Sequence, residues 1–549
     1  MEAVTEAPVL VVGGGPVGLV AAILLAQHGL GCVVAERRRA PAPAPAAHVV
    51  NARSFEILRS AGADMGAIAA ACKSPDDAGA VRWVTTLFGD ELGQLPFERQ
   101  GDDVLALTPT PLRNLSQHRL EPILVEHVRS APGAELASGW EWESSEQDAA
   151  GVTSRLREVA TGRTRSVRSR WLLAADGAGS GVRRALGIEP IGPARIASFV
   201  MIHFEANLRA RLAQRPAVLY WTTAPGAAGT FVAHDLDSTW VFMHAYDADA
   251  ESPADYDAAR CAAIVRRAMG DPDAAVPIRT ISTWQMTAQV AERYRAGRIF
   301  LLGDAAHRFP PSGGLGLNTG VQDAHNLVWK IAAAEAGWAD VSLLDSYERE
   351  RKPVAHTNAD VSLRNAVRML EVHQALASPD DGGREARVAA AIAAQAEHFD
   401  MLGLQLGFRY EAGALVDDGG PHPCVADPVR VYAPSGRPGA RLPHAWVGRD
   451  PARVSTLDLV AHDGFTLVTG RAADGWRDAA RTVADAPLRV VAIGTDVPDS
   501  DGAWTALLGI DDDGALLVRP DQHVAWRALH AAHDAAAALP GALRAVLAR

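Results

Sequence analysis

Residues 8–36 read PVLVVGGGPVGLVAAILLAQHGLGCVVAE, and this stretch decides the fold. Val9 to Val12 form an unbroken apolar run, which is typical of a parallel strand buried on both faces. Apolar residues then recur at helical spacing until Gly29, and Cys32 to Ala35 form a second apolar run. A strand, a glycine-rich turn, a helix and a strand in this order predict a doubly wound α/β sheet.

The glycine-rich turn also predicts a dinucleotide site. Gly13 allows the tight turn, Gly15 lets a pyrophosphate approach the backbone, and Gly18 lets helix and strand pack closely. The helix N-terminus offers N–H groups to phosphate, and Glu36 ends the next strand, where it can accept from ribose hydroxyls. The alternative is a structural glycine turn. The cofactor-binding candidates in this stretch are Gly13, Gly15, Pro16, Gly18, Glu36 and Arg37.

Further segments show how the chain is divided. Apolar strands at 171–175 and 299–302 run into Asp-Gly and Gly-Asp turns, and a helix is expected from Val321 to Glu335. Segments 199–205, 217–223 and 239–246 are rich in β-branched and aromatic residues, which favours an inserted antiparallel sheet. The predicted units are a cofactor domain (1–75, 114–190, 291–365), a substrate domain (76–113, 191–290), a helical connector (366–400) and a C-terminal α/β domain (401–549).

Composition excludes several classes of function. A formal net charge of −12 argues against nucleic acid, whose phosphates need a basic surface. The four cysteines form no CxxC pair, no cluster has metal-ligand spacing, and no metal is expected. A GxSxG nucleophile motif is imitated only in part, by residues 177–181. With neither a basic leader nor a membrane-spanning apolar stretch, we expect a cytoplasmic protein with no membrane partner.

Two motifs carry a family resemblance. LLAADGAGSGVRRALGI (172–188) and GRIFLLGDAAHRFPPSGGLGLNTGVQDAHNLVWKI (297–331) resemble the Asp-Gly and Gly-Asp motifs of class A flavoprotein monooxygenases, the family of para-hydroxybenzoate hydroxylase and phenol hydroxylase. The resemblance implies FAD as cofactor. It also implies a Rossmann-like FAD domain of the glutathione-reductase type, an inserted antiparallel-sheet substrate domain and a C-terminal thioredoxin-like domain.

The resemblance assigns roles to individual residues. Asp304 would bind the ribityl chain, and Gly314 and Gly316 would let the flavin ring approach the backbone. The N–H groups of Leu317 and Asn318 would stabilise negative charge on reduced flavin. Three residues outside this loop are further candidates for supporting or contacting the cofactor, namely Asp176, Arg53 and Gln117. Arg183 is expected to support the nucleotide site together with Asp176.

Two segments narrow the resemblance. PAAHVVNARSFEILRSAG (45–62) looks like the matching segment of chlorophenol hydroxylases, and VYAPSGRPGARLPHAW (431–446) like the start of a domain shared with polyketide hydroxylases. Because that thioredoxin-like domain lacks CxxC here, we expect it to serve packing or contact between subunits of a homo-oligomer. Ala46 and Ala47 stand where many relatives carry an arginine that touches the flavin.

The resemblance implies a specific reaction. NADPH or NADH would reduce FAD, reduced flavin would capture O2 as a C4a-hydroperoxide, and its distal oxygen would attack a phenolic or related aromatic ring. A Baeyer–Villiger oxidation on the same scaffold is an alternative, and a non-catalytic flavin- or ligand-binding protein is another.

Candidates for activating the phenol are His48, Tyr220 and Pro311. An imidazole can take a phenolic proton, Tyr220 aligns with a strand tyrosine that contacts substrate in relatives, and the carbonyl of Pro311 can accept from a substrate hydroxyl. Trp221 points to the other face of the strand that carries Tyr220 and should not share its role. His203, His234 and His244 are interpreted mainly as packing residues.

Overall fold

The cofactor domain is built on a predominantly parallel sheet. The computed structural model describes residues 4–226, 228–448, 453–499, 502–530 and 535–549. Five parallel strands form the centre of the eight-stranded sheet, and antiparallel strands extend it. In spatial order, the main path is Arg295–Ala296, Ile299–Leu301, Thr164–Ala174, Val4–Val12, Cys32–Glu36 and Ala134–Ser138. Off this path, Val152–Glu158 pairs with Thr164–Ala174, and Trp140–Gln147 pairs with Val152–Glu158.

Two helices bring the sheet's glycine-rich turns together. Pro16–Gln27 follows the first strand, and Leu315–Glu335 packs against it, with Gly320 close to Val17 and Gly303. The second helix begins six residues before the predicted Val321, because the left-handed Gly314 (φ +62°) ends the preceding loop and caps the helix. The remaining helices of this domain are Ala52–Ser60, Met65–Ala71, Gln117–Ser130 and Gly181–Ala185, with a 3₁₀ turn at Gly303–Ala305.

The inserted sheet has seven strands. Their spatial order is Ile278–Met286, Ala197–Glu205, Thr239–Tyr246, Gly229–Ala233, Leu219–Thr222, Ala80–Val84 and Glu91–Pro96. It is antiparallel except where Leu219–Thr222 runs parallel to Ala80–Val84, a pairing of strands from two distant segments. One face packs on the helix Ala258–Met269, and the other lies towards the cofactor domain. Short helical turns are Pro75–Ala78, Asp102–Val104, Arg209–Leu212 and Pro253–Asp255.

Helices connect these units to the C-terminal domain. Ser346–Ala377 runs unbroken through position 365, where the sequence predicted the connector to begin, and Arg384–Ala393 then packs against the inserted sheet. Short elements complete the connection: Val341–Asp345, Ala394–Phe399 and Leu402–Leu406. None of the helices in the described ranges is long and apolar enough to cross a membrane.

The C-terminal domain contains a βαβ unit followed by a β-hairpin and a helix. Its sheet order is Leu488–Ala492, Phe465–Thr469, Ala515–Val518 and Val524–Ala528. Its helices are Thr456–Leu459, Asp474–Arg481, Ala503–Leu508 and Ala535–Val546. The structure also has three small sheets: Val49–Val50 with Arg113–Asn114, Pro190–Ile191 with Gln289–Ala291 and His307–Arg308, and Trp446–Val447 with Val454–Ser455.

Buried ion pairs join this domain to the rest of the molecule. Arg519 donates to both carboxylate oxygens of Glu350 at 2.8 Å and pairs with Asp521, and Lys330 lies 2.7 Å from Glu350. Arg441 pairs in the same way with Glu56. Because Arg519 and Glu350 belong to different domains, as do Arg441 and Glu56, these two pairs form only when the domains dock.

Candidate active site

The first glycine-rich turn has room for a ligand at one position only. A Cβ on Gly13, whose φ is +104°, would lie 2.3 Å from the carbonyl oxygen of Ala175, and one on Gly18 would lie 1.9 Å from that of Gly13. A Cβ on Gly15 would meet nothing within 4 Å. The first and third glycines are therefore required by the protein itself, whereas the second faces open space where a pyrophosphate fits.

The helix that follows this turn presents free amides. Gly15 caps the helix without any side-chain hydrogen bond, and Pro16 occupies its first position, where no donor is lost. The amide of Gly14 donates to Glu36 at 2.7 Å, and Arg38 donates to the other carboxylate oxygen at 2.9 Å. Glu36 thus lies directly beside the turn, as the dinucleotide prediction requires, and retains lone pairs for ribose hydroxyls.

Two further candidates lie near Glu36. Gln117 donates to Glu121 at 2.6 Å, and Arg38 lies 4.0 Å from Glu121, so a polar chain connects Gln117 to Glu36. Arg37 is exposed at the end of the strand. A cofactor contact for Gln117 and for Arg37 stays a prediction.

Asp176 carries an oxygen that lacks a partner. Its Oδ2 accepts from the amide of Val182 at 3.2 Å, but its Oδ1 is buried without a hydrogen bond among the described residues. Burial raises the pKa of Asp176. Arg183 donates to the carbonyl of Ala305 at 2.9 Å and so ties the Asp176 turn to the Gly-Asp turn. An unpaired buried carboxylate oxygen costs free energy, which a cofactor hydroxyl at this position would recover.

Asp304 is accessible to solvent beside the second glycine-rich loop. Burial by the surrounding protein raises its pKa. The turn that carries it is fixed from behind, because the amide of Gly303 donates to Asp323 at 3.1 Å and the same carboxylate binds His307 at 2.7 Å.

The loop before the helix Leu315–Glu335 lies beside Asp304. Gly314 is close to Val49, whereas a Cβ on Gly316 would meet only the Asp304 carboxylate at 3.7 Å, so space opens there. Gly314 caps the helix without a side-chain bond, which leaves the amides up to Leu317 unpaired. A negatively charged ring edge would be stabilised at this N-terminus.

The side chain of Asn318 holds the loop that precedes its helix. It is buried, donates to the carbonyls of Val49 and Gly314, and accepts from Asn51 and Ser54. Asn318 therefore fixes the loop against the Val49–Val50 strand, and the contact predicted between its backbone N–H and the cofactor stays a prediction.

Arg53 lies at the interface with the C-terminal domain. Its guanidinium is fully buried, and its two terminal nitrogens donate to Glu56 at 2.9 Å, to Gln522 at 2.6 Å and to the carbonyl of Asp521 at 2.8 Å. Arg53 therefore joins two domains, and its contact with the cofactor stays a prediction.

His48 lies where the loop, the cofactor domain and the inserted sheet meet. Its Nδ1 is 3.0 Å from Oδ1 of Asn114, and its ring is 6.4 Å from that of Phe97 and 5.6 Å from that of His234. Burial lowers the pKa of His48 to about 4, and Lys73 lowers it further while Asn114 opposes the shift. The imidazole is therefore neutral at neutral pH and able to accept a proton.

The inner face of the inserted sheet carries an apolar lining, named here the inner-face cluster. Its members come from the sheet, from the loop beside His48 and from the connector; they include Val49, Trp83, Phe97, Leu219 and Phe399, with Met201, Trp221 and Met243 packed against them. Since Val49 also contacts Gly314, this face lies next to the glycine loop. A flat apolar molecule could occupy the space between them.

The structure contradicts the substrate contact predicted for Tyr220, because Tyr220 lies on the outer face of the inserted sheet. Tyr220 is fully buried on the outer face, against the helix Ala258–Met269, and its hydroxyl donates to the carbonyl of Arg215 at 2.9 Å. Trp221 lies on the inner face, stacked on Trp83, and its Nε1 is buried without a partner among the described residues. Trp221, not Tyr220, therefore faces the cofactor domain.

Pro311 is exposed, and its carbonyl accepts from Gly314 at 3.0 Å but keeps a second lone pair, so its role stays a prediction.

Sequence reasoning missed Asn114 and Glu98. Glu98 has a φ of +53°, and its carboxylate accepts from the amide of Met401 at 3.1 Å and from Gln405 at 3.0 Å. Burial raises its pKa to about 7. The sequence around Glu98 contains no signal for a left-handed backbone. A hydrogen bond between distant segments, such as that between Asn114 and His48, has no local signal either.

One group of possible metal ligands occurs in the described residues outside this region. Asp511, Asp513 and His530 bring ligating atoms within 4.8 Å of one another on the surface of the C-terminal domain. Exposed acidic groups of this kind are common without a metal, and nothing else at this place points to one.

Taken together, the open position at Gly15, the uncapped helix, the unpaired Asp176 oxygen and the accessible Asp304 carboxylate define a dinucleotide-binding protein. Residues 6–362 match the family described as FAD binding domain, and residues 435–549 match the one described as aromatic-ring hydroxylase, C-terminal. The chain belongs to the FAD-dependent aromatic-ring hydroxylases, as its motifs predicted.

Individual relatives resemble the chain over almost its whole length. Tetracenomycin A2 monooxygenase-dioxygenase of Streptomyces glaucescens is 36% identical, over 99% of this chain and 97% of its own. The 2,4-dichlorophenol 6-monooxygenase of Cupriavidus pinatubonensis is also 36% identical, over 100% of this chain and 98% of its own. Among solved structures, the flavin-dependent monooxygenase PieE in complex with FAD and substrate has a TM-score of 0.92 and 38% identity, over 99% of both chains.

Proposed function

We propose that this enzyme hydroxylates a phenolic ring, with NADPH or NADH as the source of electrons and His48 as the group that accepts the phenolic proton. The balanced reaction consumes the phenol, O2, NAD(P)H and a proton, and yields the ring-hydroxylated product, water and NAD(P)+. When bound, FAD supplies the redox chemistry with oxygen that no side chain can supply. By their descriptions, the relatives named above are monooxygenases of tetracenomycin A2 and of 2,4-dichlorophenol.

The position of His48 carries this proposal. Its neighbour Val49 packs on Gly314, in the loop that fits the flavin ring, and its own ring packs on Phe97 of the inner-face cluster. A substrate between that loop and the cluster would therefore lie next to the imidazole. The side chains of the inner-face cluster are apolar, which favours His48 as the partner of a substrate hydroxyl.

The lowered pKa of His48 suits a hydrogen-bond acceptor. At neutral pH the imidazole is uncharged, so it accepts from the phenolic O–H and orients the ring. As the ring carbon is attacked, positive charge develops on the phenolic oxygen and its proton becomes strongly acidic. An acceptor with a pKa of about 4 is then basic enough to remove that proton.

The apolar lining supports the exclusion of water. Four aromatic rings form a chain of contacts in which neighbouring ring centroids are at most 6.5 Å apart. The order along this chain is Trp221, Trp83, Phe399 and Phe97. Flat rings of this kind match a flat aromatic substrate. A dry site also limits the unproductive loss of reduced oxygen as hydrogen peroxide.

The proposal is tested with the FAD-loaded enzyme, a panel of phenols and the corresponding methyl ethers, under labelled O2. We expect phenols to accelerate NADPH or NADH oxidation and to gain one labelled ring hydroxyl, and the ethers to do so poorly because they lack the proton. A labelled ester oxygen instead would indicate Baeyer–Villiger chemistry. If no aromatic compound accelerates oxidation of the reductant, a non-catalytic binding protein is the better description.

A matched pair of variants tests the assigned residue. His48→Gln should lower kcat/KM for phenols by about 10²-fold, the usual contribution of a positioned base, while FAD content is retained. His244→Gln is the control, because His244 lies on the outer face of the same sheet and contacts Phe242. Equal effects of both substitutions would contradict the role of His48.

A further inference from the structure

The orientation of the His48 ring is determined by two buried amides. Gln100 is almost fully buried, and its Nε2 lies 3.0 Å from the carbonyl oxygen of Ala78 and 2.9 Å from that of Phe97. Carbonyl oxygens only accept hydrogen bonds, so the amide nitrogen of Gln100 must face them. Its Oε1 is thereby left to face Asn114.

The same reasoning fixes Asn114. Asn114 is also buried, and its Nδ2 donates to Oε1 of Gln100 at 3.3 Å. Its Oδ1 therefore faces Nδ1 of His48, at 3.0 Å. An amide oxygen cannot donate, so the proton of this hydrogen bond must be on Nδ1.

The consequence concerns the other nitrogen of the ring. A neutral imidazole carries one proton, and with Nδ1–H engaged by Asn114 the Nε2 atom has a free lone pair. Within the described ranges Nε2 of His48 has no hydrogen-bond partner. The opposite tautomer would present an N–H to a substrate hydroxyl and could not take its proton.

We propose that Asn114 is a positioning residue that, held by Gln100, keeps His48 in the Nδ1–H tautomer, so that Nε2 accepts from the substrate. This inference rests on the proposed function of His48 only for its catalytic consequence. The tautomer itself is a property of the free enzyme and is tested without substrate.

The test uses the FAD-loaded enzyme labelled with ¹⁵N-histidine. The signals of His48 are assigned by their absence in His48→Gln. In the wild type we expect a protonated Nδ1 and an unprotonated Nε2 at pH 7. Asn114→Leu, which removes the acceptor, should shift the ring towards the Nε2–H form, whereas Asn114→Asp, which keeps an acceptor oxygen, should retain Nδ1–H.

A neighbouring hydrogen bond supplies the control. Ser116 lies 2.6 Å from Nδ1 of His234, so Ser116→Ala removes a bond to an adjacent histidine and should leave the His48 signals unchanged. FAD content and the unfolding temperature of each variant show whether it is folded. If Asn114→Leu does not fold, the wild-type tautomer and Asn114→Asp still decide the matter.

Kinetics separate this inference from the function of His48. We expect Asn114→Leu to lower kcat/KM for phenols by about tenfold or more. The carboxylate of Asn114→Asp should raise the pKa of His48, which moves the acid limb of the pH profile to higher pH. A wild-type ring protonated on Nε2, or signals unchanged by Asn114→Leu, would overturn the inference. The expected tautomer without any effect on hydroxylation would instead contradict the proposed function.

Discussion

The amide of Gly14 donates a hydrogen bond to Oε2 of Glu36 at 2.7 Å, and a Cβ on Gly14 would lie 2.8 Å from that of Glu36. The turn and the acidic residue of the dinucleotide site are thus held together before any ligand binds. At Gly15, by contrast, a Cβ would meet no protein atom within 4 Å. Glycine is therefore required there by the ligand and not by the protein.

Gly15→Ala and Gly18→Ala should therefore have opposite consequences. Gly15→Ala places a methyl group in open space, so the free protein should keep its stability while FAD affinity falls by about tenfold or more, since even 1.4 kcal/mol is tenfold. Gly18→Ala forces its methyl group against the carbonyl of Gly13 and should destabilise the protein with or without FAD. Thermal unfolding of the cofactor-free protein and fluorescence titration with FAD distinguish the two outcomes. If Gly15→Ala lowered the unfolding temperature of the cofactor-free protein, the added methyl group would be contacting protein atoms, and the prediction would be wrong.

Asp304 gives a second prediction about the cofactor. Asp304→Asn retains the shape of the side chain but loses the charge, and a hydrogen bond to a charged group contributes about 1.5–3 kcal/mol. We expect FAD affinity to fall by about 10- to 100-fold. The control is Asp360→Asn, because Asp360 is exposed on the helix Ser346–Ala377. Unchanged FAD affinity in Asp304→Asn would show that the ribityl chain lies elsewhere.

These cofactor features were predictable from sequence because they are local. Gly13 to Glu36 and Gly303 to Asn318 are single stretches in which turn, helix and acidic residue follow one another. Contacts between distant segments had no such signal. Asn114 is 66 residues from His48, and Arg53 is 469 residues from its partner Gln522. For Arg53, the sequence suggested a role but not the domain that it contacts.

The strand of Tyr220 shows a different limit. Alternation along a strand establishes that Tyr220 and Trp221 lie on opposite faces, but it does not tell which face is turned inward. That choice follows from pairing with Ala80–Val84 and from the helix Ala258–Met269 covering the outer face. The substrate contact predicted for Tyr220 therefore falls on the face that is turned away from the cofactor domain.

Tyr220→Phe and Trp221→Phe test this assignment. Tyr220→Phe removes the hydrogen bond to Arg215 and should cost about 1 kcal/mol of stability, with substrate affinity unchanged. Trp221→Phe removes an unpaired buried N–H and shrinks the inner wall, so it should change the preference among substrates with little loss of stability. Substrate-induced changes in the flavin spectrum measure affinity. Altered affinity in Tyr220→Phe alone would restore the original assignment.

The last prediction concerns the buried ion pairs that join the C-terminal domain to the helix Ser346–Ala377. Burial by itself would raise the pKa of Glu350, but Arg519 and Lys330 outweigh it and lower the pKa to about 2. Glu350→Gln would leave both cations buried without their shared counter-charge, which costs about 3–5 kcal/mol. We expect this loss at neutral pH, measured as the shift in urea-induced unfolding.

The pH dependence of the difference follows from the sign of the pKa shift. Because the pKa of Glu350 is lower in the folded protein than the ordinary value of 4.5, its ionisation stabilises the fold fully above about pH 5. That contribution is lost as the pH falls towards 2, so the wild type and Glu350→Gln should converge in stability there. The control is Glu411→Gln, because Glu411 is exposed and pairs only with Arg409, at 3.1 Å, among the described residues. Its effect should stay within about 0.5 kcal/mol at every pH. A difference for Glu350→Gln that does not shrink on acidification would mean that packing, and not charge, makes Glu350 important for docking the two domains.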